Sequence, residues 1–236
     1  MITRVGHPEA VRTPVLLVNF KAYPEALGSK AVALAKLCAF IAEDTGRSLA
    51  VAPSALDLAL VAKSVRLPVF AQHLDPMEPG KATGWIPPEA ALAAGAVGTI
   101  VNHSERKVAW EEMRDLVKRC EAVGLEVVAC ADDPAEAETA AKFSPDFIAI
   151  EPPELIGGDV SVTAAKPEVI TRAVARIHAT NPKVQVLCGA GVKTGKDVAK
   201  ALELGTVGVL LASGVVKAKN PEKALRDLVK GLGRSA

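Results

Sequence analysis

Eight short runs of aliphatic and β-branched residues recur along the chain, each closed by turn residues and followed by a stretch of helical spacing. They are VLLVN ending at Asn19, SLAVA at Ala52, PVFAQ at Gln72, VGTIV at Val101, LEVVA at Ala129, DFIAI at Ile150, VQVLC at Cys188 and VGVLL at Leu211. Between them lie alanine-rich segments such as Ala31 to Glu43, Val108 to Val123, Ala165 to Ala179 and Asp197 to Leu204, whose apolar residues return at three and four positions, as on one helix face. The strand runs are apolar at successive positions, so both of their faces must be covered, which fits a parallel sheet beneath helices. Eight such units with no break in composition imply a single closed (β/α)8 barrel, preceded by a short extension at residues 1–12. An open, doubly wound sheet shares the same alternation and is the competing architecture.

A chain of 236 residues that is 50% hydrophobic has ample material for such a core. Its net charge of +1 comes from acidic and basic residues that are interspersed, which excludes the broad basic face that nucleic acid or an anionic membrane attracts and leaves a small anionic ligand open. Cys38, Cys120, Cys130 and Cys188 lie far apart, with no CxxC pair and no histidine at zinc-finger spacing, and read as buried thiols. The segment MITRVGHPEAVRT lacks the apolar core of a signal peptide, and no stretch reaches membrane-spanning length without a charge or breaker. The expectation is a cytoplasmic protein.

In a barrel, functional groups gather where strands end, so the polar residues at those points carry the argument. The first run ends in Asn19-Phe20-Lys21, the fourth in Asn102-His103-Ser104-Glu105-Arg106 and the sixth in Glu151, while the seventh and eighth end in glycine-rich turns. Glu151 stands between a rigid hinge at Pro152 and Pro153 and a flexible one at Gly157 and Gly158, the frame of a moving lid. Taken singly, each residue has a plainer explanation. A strand-end glutamate is often ion-paired, a lysine there is usually solvated, and His103 could cap a helix beginning at Ser104 and Glu105.

Taken together, VNFK, VNHSERK, IEPPELIGG, CGAGVKTGKD and LLASGVVKAKNP occur in register between residues 18 and 221. In that order they resemble the triosephosphate isomerases, and the shortened middle and last two loops resemble the archaeal branch. The resemblance implies a TIM barrel that interconverts dihydroxyacetone phosphate and D-glyceraldehyde 3-phosphate through an enediolate, in glycolysis and gluconeogenesis. It further implies Glu151 as the base, His103 as the electrophile and Lys21 as the cation beside the developing charge. Asn19 would donate a further hydrogen bond, and Glu105 would organise the site. The phosphate would lie against the backbone at Gly157, Gly189, Gly191, Ala212, Ser213 and Gly214, with Gly191 standing where many relatives carry serine and ASG replacing a glycine pair in the eighth loop.

An aldose–ketose shift moves no electrons to an acceptor, so neither a metal nor an organic cofactor is expected. Asp75, Lys81 and Lys193 read as solvated loop charges, and His7, His73 and His178 show no partner pattern suggesting metal. Gly46, Gly95, Gly124 and Gly205 read as helix terminators. The resemblance also implies a homo-oligomer, a tetramer ahead of a dimer. In it the long loop from Ala71 to Trp85 would dock beside Asn19 and Lys21 of a partner, and the region from Asp132 to Lys142 would pair dimers. Two other readings share parts of this pattern: a different phosphate-gripping barrel enzyme, and a barrel that binds phosphate without catalysis.

Overall fold

In the computed structural model, residues 11–155 and 162–233 are described. Eight strands, β1 (Val15–Asn19), β2 (Ser48–Ala52), β3 (Phe70–Ala71), β4 (Gly98–Val101), β5 (Glu126–Ala131), β6 (Phe147–Ile150), β7 (Gln185–Cys188) and β8 (Gly208–Leu211), pair in parallel in the order β2-β1-β8-β7-β6-β5-β4-β3. A bridge between Val51 and Val69 joins β2 to the residue before β3, bringing the two ends of the sheet together. The sheet is therefore a barrel and not an open, doubly wound sheet. The PVFAQ run yields a strand of only two residues, and LEVVA continues to Ala131.

Ten α-helices surround the strands among the described residues: α1 (Ser29–Thr45), α2 (Leu58–Ser64), α3 (Pro88–Ala93), α4 (Trp110–Val123), α5 (Pro134–Ala141), α6 (Val162–Ala165), α7 (Pro167–Thr180), α8 (Gly195–Glu203), α9 (Ser213–Val216) and α10 (Pro221–Lys230). Their apolar stripes face the barrel, as with Met113, Leu116, Val117 and Cys120 of α4 and Ile170, Ala173 and Ile177 of α7. The starts follow local chemistry. Asp133 accepts from the amides of Ala135 and Glu136 ahead of α5, Thr194 and Asp197 form a reciprocal capping box on α8, and Asn220 caps α10. Gly46, Gly95, Gly124 and Gly205 all take positive φ at or just after helix ends.

Two apolar layers result from the two-residue period of the strands. Leu16 and Val18 point outward into the helix layer, whereas Val15 and Leu17 join Ala50, Phe70, Ile100, Val128, Cys130, Phe147, Ala149, Leu187 and Leu210 in the barrel interior. Two residues on from the inward set come Asn19, at the end of β1, and, past the ends of their strands, Glu151, Gly189 and Ala212. The pleat that fills the core thus aims these residues at the mouth. All four cysteines are free and buried, as expected. No helix among the described residues is long and apolar enough to cross a membrane.

Candidate active site

The mouth of the barrel holds an open cavity lined by Asn19, Lys21, Tyr23, His103 and Glu151 and by the loops after β7 and β8. Lys21 occupies a backbone conformation unusual for a residue with a side chain, at φ 50°. Its N–H donates to Asn19 Oδ1 at 2.9 Å, and its carbonyl accepts from Gln72 Nε2 at 3.0 Å. Gln72 also donates to the Ala52 carbonyl at 2.9 Å, tying the ends of β1 and β2 together. The Lys21 ammonium, on a residue only 9% exposed, meets Glu105 Oε1 at 2.8 Å. Gln72 was not singled out in the sequence, because its two bonds reach across 51 and 20 residues.

His103 sits in the turn after β4, where Asn102, at φ 59°, donates to the Cys130 carbonyl and accepts from the Val108 amide. The residues after His103 do not begin a helix. They form a turn closed by a 2.7 Å bond from the Arg106 amide to the His103 carbonyl, and α4 starts only at Trp110. A helix start therefore does not neutralise the ring. Burial does, and with the Lys21 charge as the next contribution it brings the imidazole pKa down to about 4. Nδ1 accepts from the Glu105 amide at 3.1 Å, which assigns the proton of the neutral ring to Nε2.

Glu151 follows β6 and is 2% exposed. Burial raises its carboxyl pKa to about 7, and the Cys130 thiol and the Lys21 ammonium pull it partway back. Its Oε2 is buried and has no hydrogen-bond partner among the described residues, with His103 Nε2 lying 3.7 Å away. A buried carboxylate oxygen left bare is costly unless something arrives to use it. Gly189 makes this position possible, since a Cβ there would stand 2.3 Å from Glu151 Cγ. Its own N–H donates to the Ile150 carbonyl at 2.9 Å, so the amide expected to face phosphate is held in the strand ladder.

The other anticipated loop residues divide. Gly191, at φ 69°, lines the cavity, as do Ala212, Ser213 and Gly214. Bonding within α9 begins with the Val215 amide to the Ala212 carbonyl, which puts the amides of Ser213 and Gly214 ahead of it. Gly157 and Gly158 lie outside the described residues. Just before them in the chain, Pro153–Leu155 form a 3-10 turn and Glu154 pairs with Lys166.

Two charges expected to be solvated are not. Lys193 is half-buried and lines the cavity, and Asp75 is buried, accepting from the Ile86 amide at 2.6 Å and closing the loop between them. Lys81 is exposed, as expected. His73 lies 3.3 Å from Asp75 Oδ1, and Glu112 of α4 comes close enough that the three offer ligand atoms within 4.8 Å of one another. This grouping does not show in the spacing of the sequence. Asp75 is already committed there, with the Arg106 guanidinium 4.0 Å away.

The family model described as triosephosphate isomerase matches residues 14–231. The chain is similar to triosephosphate isomerases from Methanobacterium bryantii, 46% identical over 221 residues covering 94% of this chain and 98% of the relative, and from Caldivirga maquilingensis, 46% identical over 222 residues covering 94% and 99%. The relative from Methanocaldococcus jannaschii is 43% identical over 216 residues, covering 92% of this chain and 99% of its own. With eight parallel strands, a bare glutamate facing a neutral histidine, and matches of this extent, the chain belongs to the triosephosphate isomerase family.

Proposed function

We propose that Glu151, His103 and Lys21 carry out the isomerisation of dihydroxyacetone phosphate and D-glyceraldehyde 3-phosphate, the family's reaction, at the barrel mouth. One observation supports this most: the unpartnered Oε2 of a buried glutamate 3.7 Å from the Nε2 of a neutral histidine. Glu151 Oε2 takes the proton from the carbon beside the carbonyl. The His103 Nε2–H donates to the carbonyl oxygen as charge moves onto it, and Lys21 stabilises the enediolate. Returning the proton from Glu151 to the neighbouring carbon, with the hydroxyl proton exchanged between the two oxygens, completes the shift without gain or loss of electrons. No redox group or metal is required by that balance.

A pKa near 7 suits the base, because about half of such carboxylates are ionised at neutral pH and each binds a proton far better than a solvated one. Triosephosphate isomerase is itself the standard illustration of a glutamate paired with a neutral histidine. Asn19 supports Lys21 through the bond to its amide, and Glu105 serves both Lys21 and His103. The phosphate is assigned to Gly191, Ala212, Ser213 and Gly214 together with Gly157. Gly189 contributes by making room for Glu151.

The same reading takes the chain as one domain with residues 1–12 as an extension, acting in the cytoplasm as a homo-oligomer, a tetramer ahead of a dimer. Leu56 at 96% exposed and Trp85 at 56% are large apolar side chains on the loops after β2 and β3, as a surface that meets a second copy requires. Steady-state turnover of glyceraldehyde 3-phosphate, coupled to reduction of dihydroxyacetone phosphate, tests the activity. Light scattering across a dilution series, read beside specific activity, tests the assembly. Absence of turnover overturns the first, and a fully active monomer overturns the second.

A further inference from the structure

Between the strand that leads to His103 and the strand that leads to Glu151 lies β5, and the charged groups at its end have no part in the mechanism above. Asp132, the residue after β5, pairs through Oδ1 with the Lys107 ammonium at 2.6 Å. Lys107 also donates to Glu136 Oε2 at 3.0 Å, and that oxygen accepts from the Asp132 amide at 3.0 Å, so the three residues close a ring. Lys107 belongs to the segment after β4 that holds His103, and Glu136 to the first turn of α5. The same segment is tied to β5 a second time, by Asn102 Nδ2 donating to the Cys130 carbonyl at 3.0 Å. His103 stands between these two ties.

The imidazole takes its hydrogen bond from within the turn, at the Glu105 amide, so its aim at Glu151 depends on where the turn as a whole is held. Asp132 also acts at a distance. Its negative charge favours the protonated form of both His103 and Glu151, and the Lys107 charge works against it at His103. We propose that Asp132 is a positioning residue for the isomerisation: held by Lys107 and Glu136 between the electrophile and the base, it fixes the turn that aims His103 and keeps an anion beside Glu151. This rests on the reading of those two residues as electrophile and base. Ion pairs as exposed as this one, with 36% of the Lys107 side chain in solvent, add little to stability, so what the ring supplies is placement.

Asp132→Asn keeps the shape and removes the charge. It is expected to lower kcat about tenfold while KM for glyceraldehyde 3-phosphate changes by less than about twofold, because the phosphate contacts are untouched. The acid limb of kcat/KM should move to lower pH, since Glu151 loses an anion that holds its proton. Lys107→Met should lower kcat to a similar degree but move the limb to higher pH, as Asp132 then acts on the base unbalanced, and Lys107→Arg should recover most of both. Lys21, Glu105, Cys130 and His103, which also face Glu151, are the same in every variant. Lys118→Met, which removes an exposed lysine on α4, should change neither measure. Activity and light scattering are read together at several protein concentrations, because the region from Asp132 to Lys142 is the one expected to pair dimers. Limbs that stay in place, or move the same way in Asp132→Asn and Lys107→Met, overturn the proposal while leaving the isomerase reading intact. So does an unchanged kcat in both, or a loss that disappears as protein concentration rises. A wild-type protein that does not turn over triose phosphate would remove the reading beneath it.

Discussion

Two glutamates, at opposite ends of the barrel, carry pKa values raised to about 7. Glu151 stands at the mouth after β6, and Glu126 stands at the floor, at the start of β5. Burial is the leading cause for both, yet their surroundings differ in kind. Glu126 accepts from the Val11 amide, 3.4 Å from each oxygen, and its charged neighbour is another carboxylate, Asp146. Glu151 has a cation, a thiol and a neutral imidazole near it, an oxygen without a partner, and a cavity in front. A perturbed carboxylate marks burial. It marks a site only when the groups around it complete a reaction.

The largest expected difference is in turnover. Glu151→Gln removes the proton acceptor at nearly constant shape and should lower kcat by about a thousandfold or more. Glu126→Gln should change it by less than about twofold, since the amide oxygen still accepts from Val11 and the site lies at the other end of the strands. Stopped and continuous assays on both purified variants check this, with circular dichroism to show that each is folded. Comparable losses in the two would mean that floor and mouth are coupled and would break the contrast.

His103→Gln comes next, at about a hundredfold, because a side-chain amide still donates a hydrogen bond but without the imidazole's geometry. The pH profile separates the roles. The base must be ionised, so kcat/KM should rise with pH and level off above about 7, the value to which burial brings Glu151. His103, brought down to about 4, is neutral throughout that range and should add no limb of its own. The limb should persist in Glu126→Gln, which carries the other carboxyl of similar pKa. Its disappearance there would transfer the titration to the floor.

The fold was legible because its main determinant is local. Runs such as VLLVN and FIAI are apolar at successive positions, and that alone demands cover on both sides. Asn19, Lys21, His103 and Glu151 stood out because polar groups end those runs. What stayed hidden depends on register between strands distant in sequence. Gln72 reaches the Lys21 carbonyl, and Lys193 reaches the cavity only once the loops after β7 and β8 are adjacent. Cys130 was read as one more buried thiol, although the alternation in EVVAC turns it inward, one step below the mouth and beside Glu151. The start of α4 slipped because Asn102 takes the Val108 amide and holds the intervening residues in a turn.

Stability gives the smallest and most discriminating difference. A carboxyl whose folded pKa lies above its unfolded value binds its proton more tightly in the folded protein, so stability falls as pH rises from about 4.5 to about 7 and is level beyond. For Glu151, 2% exposed, that interval corresponds to roughly 3 kcal/mol of destabilisation when ionised. Glu126 spans a similar interval but is only partly buried, and solvent screening reduces its share to roughly 1 kcal/mol. Replacing either by glutamine removes the charge, so both variants should be more stable than the wild type at pH 8, Glu151→Gln by more. At pH 4, where the wild-type carboxyls are largely protonated in both states, the advantage should nearly vanish. Urea midpoints at the two pH values, taken at equal protein concentration because assembly adds to stability, provide the comparison. A Glu151→Gln protein no more stable than wild type at pH 8 would mean that Lys21 and Cys130 already offset the burial of the carboxylate, and the mouth would then hold its base without the strain that distinguishes it from the floor.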